Sequence, residues 1–306
     1  AEWREVFESY APPRAAVGEV WVADPARRAR YASRTALGQA FNFDLLLAGF
    51  DAAEFRSIIE ANLDLAARTD SSSTWVLSNH DAIRHVSRYG LPVQADADRR
   101  RELGRRWLLT GGREPVEDTA LGLARAQAAS LLIMALPGSV YLYQGEELGL
   151  REVADLPATV RQDPTFRRSA GFDVGRDGAR VPLPWAGQGP SFGFGAGVAH
   201  LPQPAWFGGY AVAVEEADPD SPLNLYRRAL AARRTLLARE DVRSADLEWA
   251  PAPAGTLGFN RGPWHCLVNF SATAGLALPA GRLLVSSPAA GSGSNLPPAA
   301  AAWVLV

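Results

Sequence analysis

Strand-like and helix-like segments alternate along much of this 306-residue chain, and that alternation limits the folds it can adopt. Four apolar runs have strand character, and helical spacing of apolar residues follows most of them. The four runs cover residues 16–22, 39–47, 74–78 and 139–144. Strands that alternate with helices are typical of a parallel sheet with helices packed on it. The sequence therefore predicts an α/β fold.

The pattern changes after the fourth run. Residues 151–220 are rich in Gly, Pro, Trp and Phe and show little periodicity, so we expect a long irregular loop, which is uncommon unless functional. A helix is expected at 221–239. From residue 240 onward, short alternating runs separated by Pro, Gly and Ala predict an antiparallel β module. The predicted division is 1–239 for the α/β part, including the loop, and 240–306 for a small C-terminal β domain.

Four βα units are half of a (β/α)8 barrel. A complete barrel needs eight strands to close, and half of one leaves two unpaired sheet edges, which proteins normally avoid. The chain begins with Ala1 rather than Met, and residues 1–10 already have the pattern of an amphipathic helix. We therefore expect that the N-terminal half of the barrel is missing from this chain.

Composition narrows the functions that the chain can have. Its hydrophobic content of 47% and charged content of 21% are those of an ordinary globular protein. A net charge of −2 gives no electrostatic basis for binding nucleic acid or an anionic membrane. No apolar run is long enough to span a bilayer. The single cysteine, Cys266, excludes an internal disulfide, and we expect a cytoplasmic location.

Nothing in the sequence predicts a metal site or a cofactor. One cysteine cannot form a multi-cysteine metal site. His85, His200 and His265 show no metal-ligand spacing with other donors. They are most simply interpreted as scattered histidines, and we predict no metal and no cofactor.

Two carboxylates belong to strand-like runs. Glu19 lies within the run 16–22, and Asn79-His80-Asp81 follows the run 74–78, which ends at Ser78, directly. Barrel enzymes keep their chemistry at the carboxyl ends of strands, so Glu19 and Asp81 indicate acid–base or glycosidic chemistry. From the residues alone, two alternatives stay open: Glu19 as a surface residue of an edge strand, and Asp81 as a turn former.

Five motifs follow one another between about residue 1 and residue 239. They are Gly18-Glu19-Val20-Trp21-Val22, Asn79-His80-Asp81 with Arg84, Tyr143-Gln144-Gly145-Glu146-Glu147-Leu148-Gly149, Arg176-Asp177-Gly178-Ala179-Arg180-Val181-Pro182-Leu183-Pro184-Trp185 and Asn224-Leu225-Tyr226-Arg227-Arg228. Together they resemble the α-amylase superfamily of glycoside hydrolases, and most closely its α-glucosidase and oligo-1,6-glucosidase branch. The resemblance implies the C-terminal half of a TIM barrel, strands 5–8, followed by an antiparallel β domain.

The resemblance also implies an activity and a role for five side chains. The activity is that of a retaining α-glucosidase, which acts on an oligosaccharide or disaccharide. Glu19 would be the general acid/base, and Asp81 would be the third catalytic carboxylate, binding two sugar hydroxyls. His80, Arg180 and Arg84 would bind the substrate. Surface ion pairing stays the alternative for the two arginines.

Four other residues are candidates for supporting roles. Phe41 and Phe43 are placed to stack on the leaving-group sugar, with core packing as the alternative. Glu146 and Glu147 are adjacent carboxylates, but neighbouring side chains at a strand end point in different directions. The resemblance implies structural and pocket-wall roles for them, so neither is predicted to be catalytic.

The nucleophile of the family is absent. In the family it is an aspartate in a Gly-x-Arg-x-Asp motif at the end of the fourth strand, and this sequence contains no such motif. Retention by double displacement needs a nucleophile about 5 Å from the acid/base. The chain alone is therefore expected to be inactive. Two alternatives stay open: a non-catalytic half-barrel that binds a sugar or a partner, and a transglycosylating or isomerising relative that forms trehalose or trehalulose.

Overall fold

The computed structural model describes residues 2–22, 24–94, 96–287 and 295–306. Four short strands form the α/β part of this structure: β1 (Ala16–Gly18), β2 (Gly38–Ala40), β3 (Thr74–Val76) and β4 (Ser139–Tyr141). β1 pairs in parallel with β2, and β3 pairs in parallel with β4. Thr74 Oγ1 joins the two pairs, because it donates to Ala40 O at 2.9 Å and accepts from Asn42 N at 2.9 Å. The α/β class predicted from the sequence is confirmed.

α-Helices connect the strands. They are α1 (Glu2–Glu8), α2 (Pro25–Ala32), α3 (Asp44–Leu47), α4 (Ala52–Thr69), α5 (His85–Gly90), α6 (Ala97–Leu109), α7 (Thr119–Ala135), α8 (Pro164–Arg168), α9 (Val212–Ala217), α10 (Pro222–Leu237) and α11 (Glu240–Arg243). Asp51, Asp96 and Asp118 cap α4, α6 and α7, each accepting a hydrogen bond from a main-chain N–H of the first turn. Within the described ranges, no helix has the length and apolar character needed to cross a membrane.

Two of the predicted strands are shorter than expected. The run 16–22 is extended only to Gly18, where an added Cβ would lie 2.7 Å from Leu37 Cδ1. The run 39–47 ends at Ala40 and becomes α3, because Asn42 Oδ1 accepts a hydrogen bond from Asp44 N at 2.8 Å and turns the chain. Both strands therefore end just before residues that the sequence marks as functional. Ala1, in the predicted first helix, lies outside the described residues.

The 151–220 segment contains short helices joined by irregular chain. Besides α8 and α9, it forms 3₁₀ turns at Ala158–Val160, Asp177–Arg180, Pro190–Gly193 and Ala205–Tyr210. Val153, Leu183 and Phe207 of this segment belong to a hydrophobic cluster that also includes Leu148 and Leu223 from either side of it. The segment is therefore packed, although its sequence lacks the regular periodicity from which its helices could have been predicted.

The C-terminal part is antiparallel, as predicted. Its strands are β5 (Glu248–Trp249), β6 (Thr256–Arg261), β7 (Trp264–Asn269), β8 (Leu276–Ala277), β9 (Arg282–Ser287), β10 (Asn295–Leu296) and β11 (Ala300–Leu305). Five of them form one sheet in the order β5-β6-β7-β11-β9, and β8 pairs with β10. Neighbouring strands run antiparallel throughout the described part of this sheet.

Helix α7 joins the two parts. Leu131, Leu132 and Ile133 are buried in a cluster that also contains Trp303 of β11. Trp303 Nε1 donates to Leu131 O at 3.1 Å, so the sheet is fixed to the helix by a polar contact as well as by packing. One hydrophobic core therefore crosses the predicted boundary at residue 239. The division into 1–239 and 240–306 stays a prediction.

The contact between α5 and α7 depends on Gly122. A Cβ added there would collide with Val86 O and would lie 2.9 Å from Gly90 N. Gly122→Ala is therefore expected to lower the free energy of unfolding by about 1–3 kcal/mol, because the two helices must separate. Urea denaturation of the chain measures this difference.

Gly197→Ala is the matched control, since nothing lies within 4 Å of a Cβ built at that position. Its free energy of unfolding is expected to stay within about 0.5 kcal/mol of the unmodified chain. A Gly122→Ala variant as stable as the control would contradict the close packing of α5 on α7.

Candidate active site

The loops after β1 and β3 bring three predicted site residues together. Donor atoms of Glu19, His80 and Asp81, one from each side chain, all lie within 4.8 Å of one another. Glu19 and His80 are exposed, and Asp81 is partly buried. Because β1 and β3 are parallel to their neighbours, their carboxyl ends lie at the same edge, and residues distant in sequence meet there.

Two arginines hold Asp81. Its Oδ1 accepts a hydrogen bond from Arg180 Nη2 at 2.8 Å and another from Arg176 Nη1 at 3.0 Å. His80 Nε2 lies 3.3 Å from the same oxygen. Oδ2 has no hydrogen bond to any residue in the described ranges. The carboxylate is thus fixed through one oxygen, and the other is free to accept hydrogen bonds from a ligand.

Arg180 extends from the long loop to the side chain of Asp81. It lies at the end of the 3₁₀ turn Asp177–Arg180. Besides binding Asp81, its Nε donates to His80 O at 2.9 Å. Arg180 therefore orients both the side chain of Asp81 and the main chain before it. Its role in binding substrate stays a prediction.

Arg84 lies in a different environment from the one that the sequence suggested. It is 3% exposed, and its Nη1 and Nη2 donate to Gln144 O and Ala179 O, each at 2.9 Å. Its guanidinium also packs over the ring of Tyr143, 5.0 Å from the ring centre. Burial lowers the pKa of Arg84. Here the side chain ties the chain after β4 to the long loop, and its predicted contact with substrate stays untested.

An aromatic pocket adjoins the carboxylates. Glu19 and His80 line a cavity of about 170 Å³ together with Phe41, Phe43 and Tyr141. Phe41 lies against Tyr141 with ring centres 4.6 Å apart. The two phenylalanines therefore line the pocket and also belong to a buried cluster, so the structure combines the two roles that the sequence left open.

Trp21 is a further aromatic residue at this edge, and the sequence reasoning did not single it out as a site residue. Its ring stacks on Phe43 at 4.2 Å between centres with an angle of 18° between the planes. Trp21 is 57% exposed. An exposed ring held by a buried one offers an apolar face to a ligand. In the sequence, its position two residues after Glu19 was the signal that could have identified Trp21 as a site residue.

A buried polar network supports the loop after β3. His85 Nδ1 lies 2.7 Å from Ser78 Oγ, and His85 Nε2 lies 3.5 Å from Ser130 Oγ. Tyr226 OH donates to Ser130 Oγ at 2.6 Å and lies 3.4 Å from Glu146 Oε1. Burial lowers the pKa of His85 to about 3 and raises the pKa of Glu146 to about 8. At neutral pH both groups are therefore uncharged, which suits the structural role implied for Glu146.

Asp163 and Arg176 are site-forming residues that the sequence reasoning missed. Arg176 Nε donates to Asp163 Oδ2 at 2.6 Å, and this pairing lowers the pKa of Asp163. Arg176 stands at the start of a recognised motif, so its position was a signal. Asp163 belongs to no motif, and nothing in the sequence linked it to Asp81.

The cluster of Glu19, His80 and Asp81 has donors of the kind that bind metal ions. However, the guanidinium groups of Arg176 and Arg180 already contact Asp81. Their positive charge opposes a cation at the same oxygen. The arrangement is better suited to neutral hydroxyl groups, which accept a hydrogen bond from an arginine and donate one to a carboxylate.

Comparisons with known proteins agree with the motifs. The family described as the alpha amylase catalytic domain matches residues 114–240. A probable alpha-glucosidase of Rhizobium meliloti (strain 1021) is 34% identical over 209 residues, which cover 67% of this chain and 32% of that protein. Oligo-1,6-glucosidase IMA5 of Saccharomyces cerevisiae is 28% identical over 181 residues, covering 52% of this chain and 27% of that protein.

Solved structures are similar over nearly the whole chain. A crystal structure of an alpha-glucosyl transfer enzyme, XgtA, superimposes with a TM-score of 0.73 at 30% identity, covering 99% of this chain and 53% of that one. The trehalulose synthase MutB superimposes with a TM-score of 0.67 at 20% identity, covering 99% of this chain and 58% of that one. The second similarity concerns the fold alone.

The motifs, the family match and the relatives all indicate the same class of protein. The chain belongs to the α-amylase superfamily, in its α-glucosidase and oligo-1,6-glucosidase branch, and the resemblance found in the sequence is confirmed. It spans about a third of the length of the curated relatives it matches.

Burial of Glu146 has a consequence for stability. The pKa of the Glu146 carboxyl group is about 8 in the folded chain and has its ordinary value of 4.5 in the unfolded chain. Between pH 4.5 and pH 8 the folded state therefore binds more protons than the unfolded state. Its contribution to stability is complete below pH 4.5 and is lost as the pH rises through 8. Glu146→Gln removes this loss. The variant should therefore gain stability relative to the unmodified chain by about 1 kcal/mol per pH unit between about pH 5 and 8.

Urea denaturation at a series of pH values measures that difference. Glu216→Gln is the control, because Glu216 is exposed and its substitution should leave the pH dependence unchanged. If the stability curves of Glu146→Gln and the unmodified chain ran parallel over this pH range, Glu146 would not be a buried protonated group.

Proposed function

We propose that this chain is the C-terminal half of a retaining α-glucosidase barrel, with β1 to β4 as barrel strands five to eight. The intact enzyme removes terminal α-linked glucose from short oligosaccharides or disaccharides. The observation that supports this proposal most is the meeting of Glu19, His80, Asp81 and Arg180 beside an aromatic pocket. A cytoplasmic location belongs to the same proposal and rests on the single free cysteine.

Glu19 is the proposed general acid and base. In its protonated form it delivers a proton to the oxygen of the leaving group, and as a carboxylate it later takes a proton from the attacking water. Its exposed position after β1 leaves it accessible to a substrate in the pocket. The rings of Phe41 and Phe43 lie along the same pocket and are the proposed surface for the leaving-group sugar.

Asp81 and His80 are proposed to bind the glucose ring that is transferred. The carboxylate of Asp81 is oriented by two guanidinium groups that bind its Oδ1, and its Oδ2 accepts hydrogen bonds from ring hydroxyls. Such hydrogen bonds tighten as positive charge develops on the sugar, which lowers the barrier by several kcal/mol. Arg180 is proposed to donate to the same sugar from the long loop.

The nucleophile is proposed to come from the N-terminal half of the barrel. Retention needs a carboxylate about 5 Å from the acid/base, on the opposite face of the sugar. In the described ranges, β1 and β4 each pair with one strand only, so one edge of each is available for the missing strands. Closure of the barrel would pair both edges and place the nucleophile across the pocket from Glu19.

Substitution of the general acid tests the role of Glu19. Glu19→Gln in the intact enzyme is expected to lower kcat on maltose by about 10²- to 10⁴-fold, because an amide cannot transfer the proton. Steady-state kinetics measure the effect, with the exposed Glu216→Gln as a control that should keep full activity. A Glu19→Gln enzyme with unchanged kcat on maltose would show that the acid/base has been assigned wrongly.

The 306-residue chain alone is expected to release no glucose from maltose, since it lacks the nucleophile. Glucose release by the purified chain at a rate comparable with that of the intact enzyme would contradict the proposal. The coding DNA upstream of Ala1 gives a second test. An in-frame Gly-x-Arg-x-Asp strand end would supply the nucleophile, whereas a nearby start codon would favour a half-barrel that binds without catalysis.

Glucosyl transfer is a second candidate activity for the same site. It is favoured by the similarity to the alpha-glucosyl transfer enzyme XgtA at 30% identity. Transfer uses the same acid/base and the same nucleophile, with a sugar hydroxyl in place of water. Product analysis of the intact enzyme on concentrated maltose and sucrose separates the two: free glucose indicates hydrolysis, and new disaccharides or trisaccharides indicate transfer.

A further inference from the structure

We propose that Asp163 is a positioning residue for the active site and that it acts on Asp81 through Arg176. Asp163 lies in the long loop and does not line the pocket. The inference rests on the proposed function, because it concerns how Asp81 is presented to the glucose ring. None of the sequence motifs includes Asp163, so this role could not be predicted from them.

The carboxylate of Asp163 fixes the guanidinium of Arg176 in one plane. Its Oδ2 accepts from Arg176 Nε at 2.6 Å, and its Oδ1 lies 3.3 Å from Arg176 Nη2. Two parallel hydrogen bonds of this kind set the orientation of a guanidinium group as well as its position. The remaining nitrogen, Nη1, then donates to Asp81 Oδ1 at 3.0 Å. Asp163 therefore determines where the donor to Asp81 lies.

Asp163 is itself held firmly. Its side chain is fully buried, with 0% exposure. Its N–H donates to the buried carboxylate of Asp177 at 3.0 Å, and its Oδ1 accepts from Thr165 N at 2.9 Å. Gly175 has a φ of +74°, and a Cβ there would lie 2.8 Å from Asp163 Cβ. The loop thus brings Arg176 close to Asp163 at a position where only glycine fits.

Asp163 also balances part of the positive charge of the two arginines beside Asp81. Two guanidinium groups, from Arg176 and Arg180, face two carboxylates, from Asp81 and Asp163. Without the charge of Asp163, both arginines would have Asp81 as their remaining carboxylate partner here. Arg176 would be drawn toward the free Oδ2 of Asp81, because opposite charges attract strongly where water is partly excluded. Asp163 therefore keeps Oδ2 available for sugar hydroxyls.

Substitutions in the intact enzyme test the inference. Asp163→Asn retains the shape of the side chain but removes its charge, and kcat/KM on maltose is expected to fall about 10- to 100-fold, the scale for misplacing a binding group. Asp155→Asn is the matched control, an exposed aspartate of the same loop, and should keep full activity. An Asp163→Asn enzyme with unchanged kcat/KM would overturn the proposal.

A double-mutant cycle separates positioning from general loop stability. If Asp163 acts through Arg176, Asp163→Asn should lower kcat/KM by less than about twofold once Arg176 is already glutamine. A purely structural role predicts that the two losses multiply, which would overturn the proposal. Arg176→Lys keeps the charge without the paired hydrogen bonds. It is expected to be impaired like Asp163→Asn, and it keeps the inference testable if Asp163→Asn does not fold.

A crystal structure of the Asp163→Asn variant gives a readout that does not need activity. The expected result is a rotated Arg176 that contacts Oδ2 of Asp81. An unchanged contact between Arg176 Nη1 and Asp81 Oδ1 would overturn the inference even if the protein proved to be no glucosidase. Absence of glucosidase activity in the unmodified intact enzyme, with the rotation present in the variant, would instead overturn the proposed function alone.

Discussion

The geometry of the candidate active site depends on two guanidinium groups that bind the same carboxylate oxygen of Asp81. Arg176 and Arg180 both belong to the long loop, and both donate to Oδ1 of Asp81, which follows β3. Arg84 makes a second link from the chain after β3, because its guanidinium binds main-chain oxygens of Gln144 and Ala179. The loop has little regular structure, so these links add to its hydrophobic packing in holding it beside Asp81. Without them, Asp81 would lose the two hydrogen bonds that orient its carboxylate.

The charges around the site are matched, whereas the groups below it are neutral. Asp81 and Asp163 both pair with arginines, and the hydrogen bond from Arg176 lowers the pKa of Asp163. His85 and Glu146 are buried next to hydroxyl groups and are uncharged at neutral pH. A neutral layer avoids the cost of burying unpaired charge. It also leaves the electrostatic field at the pocket to the residues that would meet a substrate.

The sequence predicted the main features of the fold because they depend on local patterns. The sequence predicted a helix at 221–239, where α10 lies, and alternation identified the antiparallel strands of the C-terminal sheet. The motifs identified Glu19, His80, Asp81 and Arg180, which the structure brings together. A short-range hydrogen bond to the side chain of Asn42 ends β2. The sequence alone could not show that this hydrogen bond would prevail over the apolar run 39–47, which predicted a longer strand.

Long-range contacts account for what the sequence could not show. Arg84 was expected to bind substrate or to form a surface ion pair, but tertiary packing buries it against the ring of Tyr143. Asp163 meets Arg176 only because an irregular loop folds back on itself. No periodicity encodes such a reversal, so a residue's sequence distance from a motif says little about its distance from the site.

A crystal structure of the intact enzyme with glucose bound would test the central claim most directly. The account predicts that the sugar ring lies between Glu19 and Asp81, with its hydroxyls on Oδ2 of Asp81 and on Arg180. A glucose molecule bound elsewhere, with Asp81 contacting only its two arginines, would contradict the assignment of this cluster as the glucose-binding site.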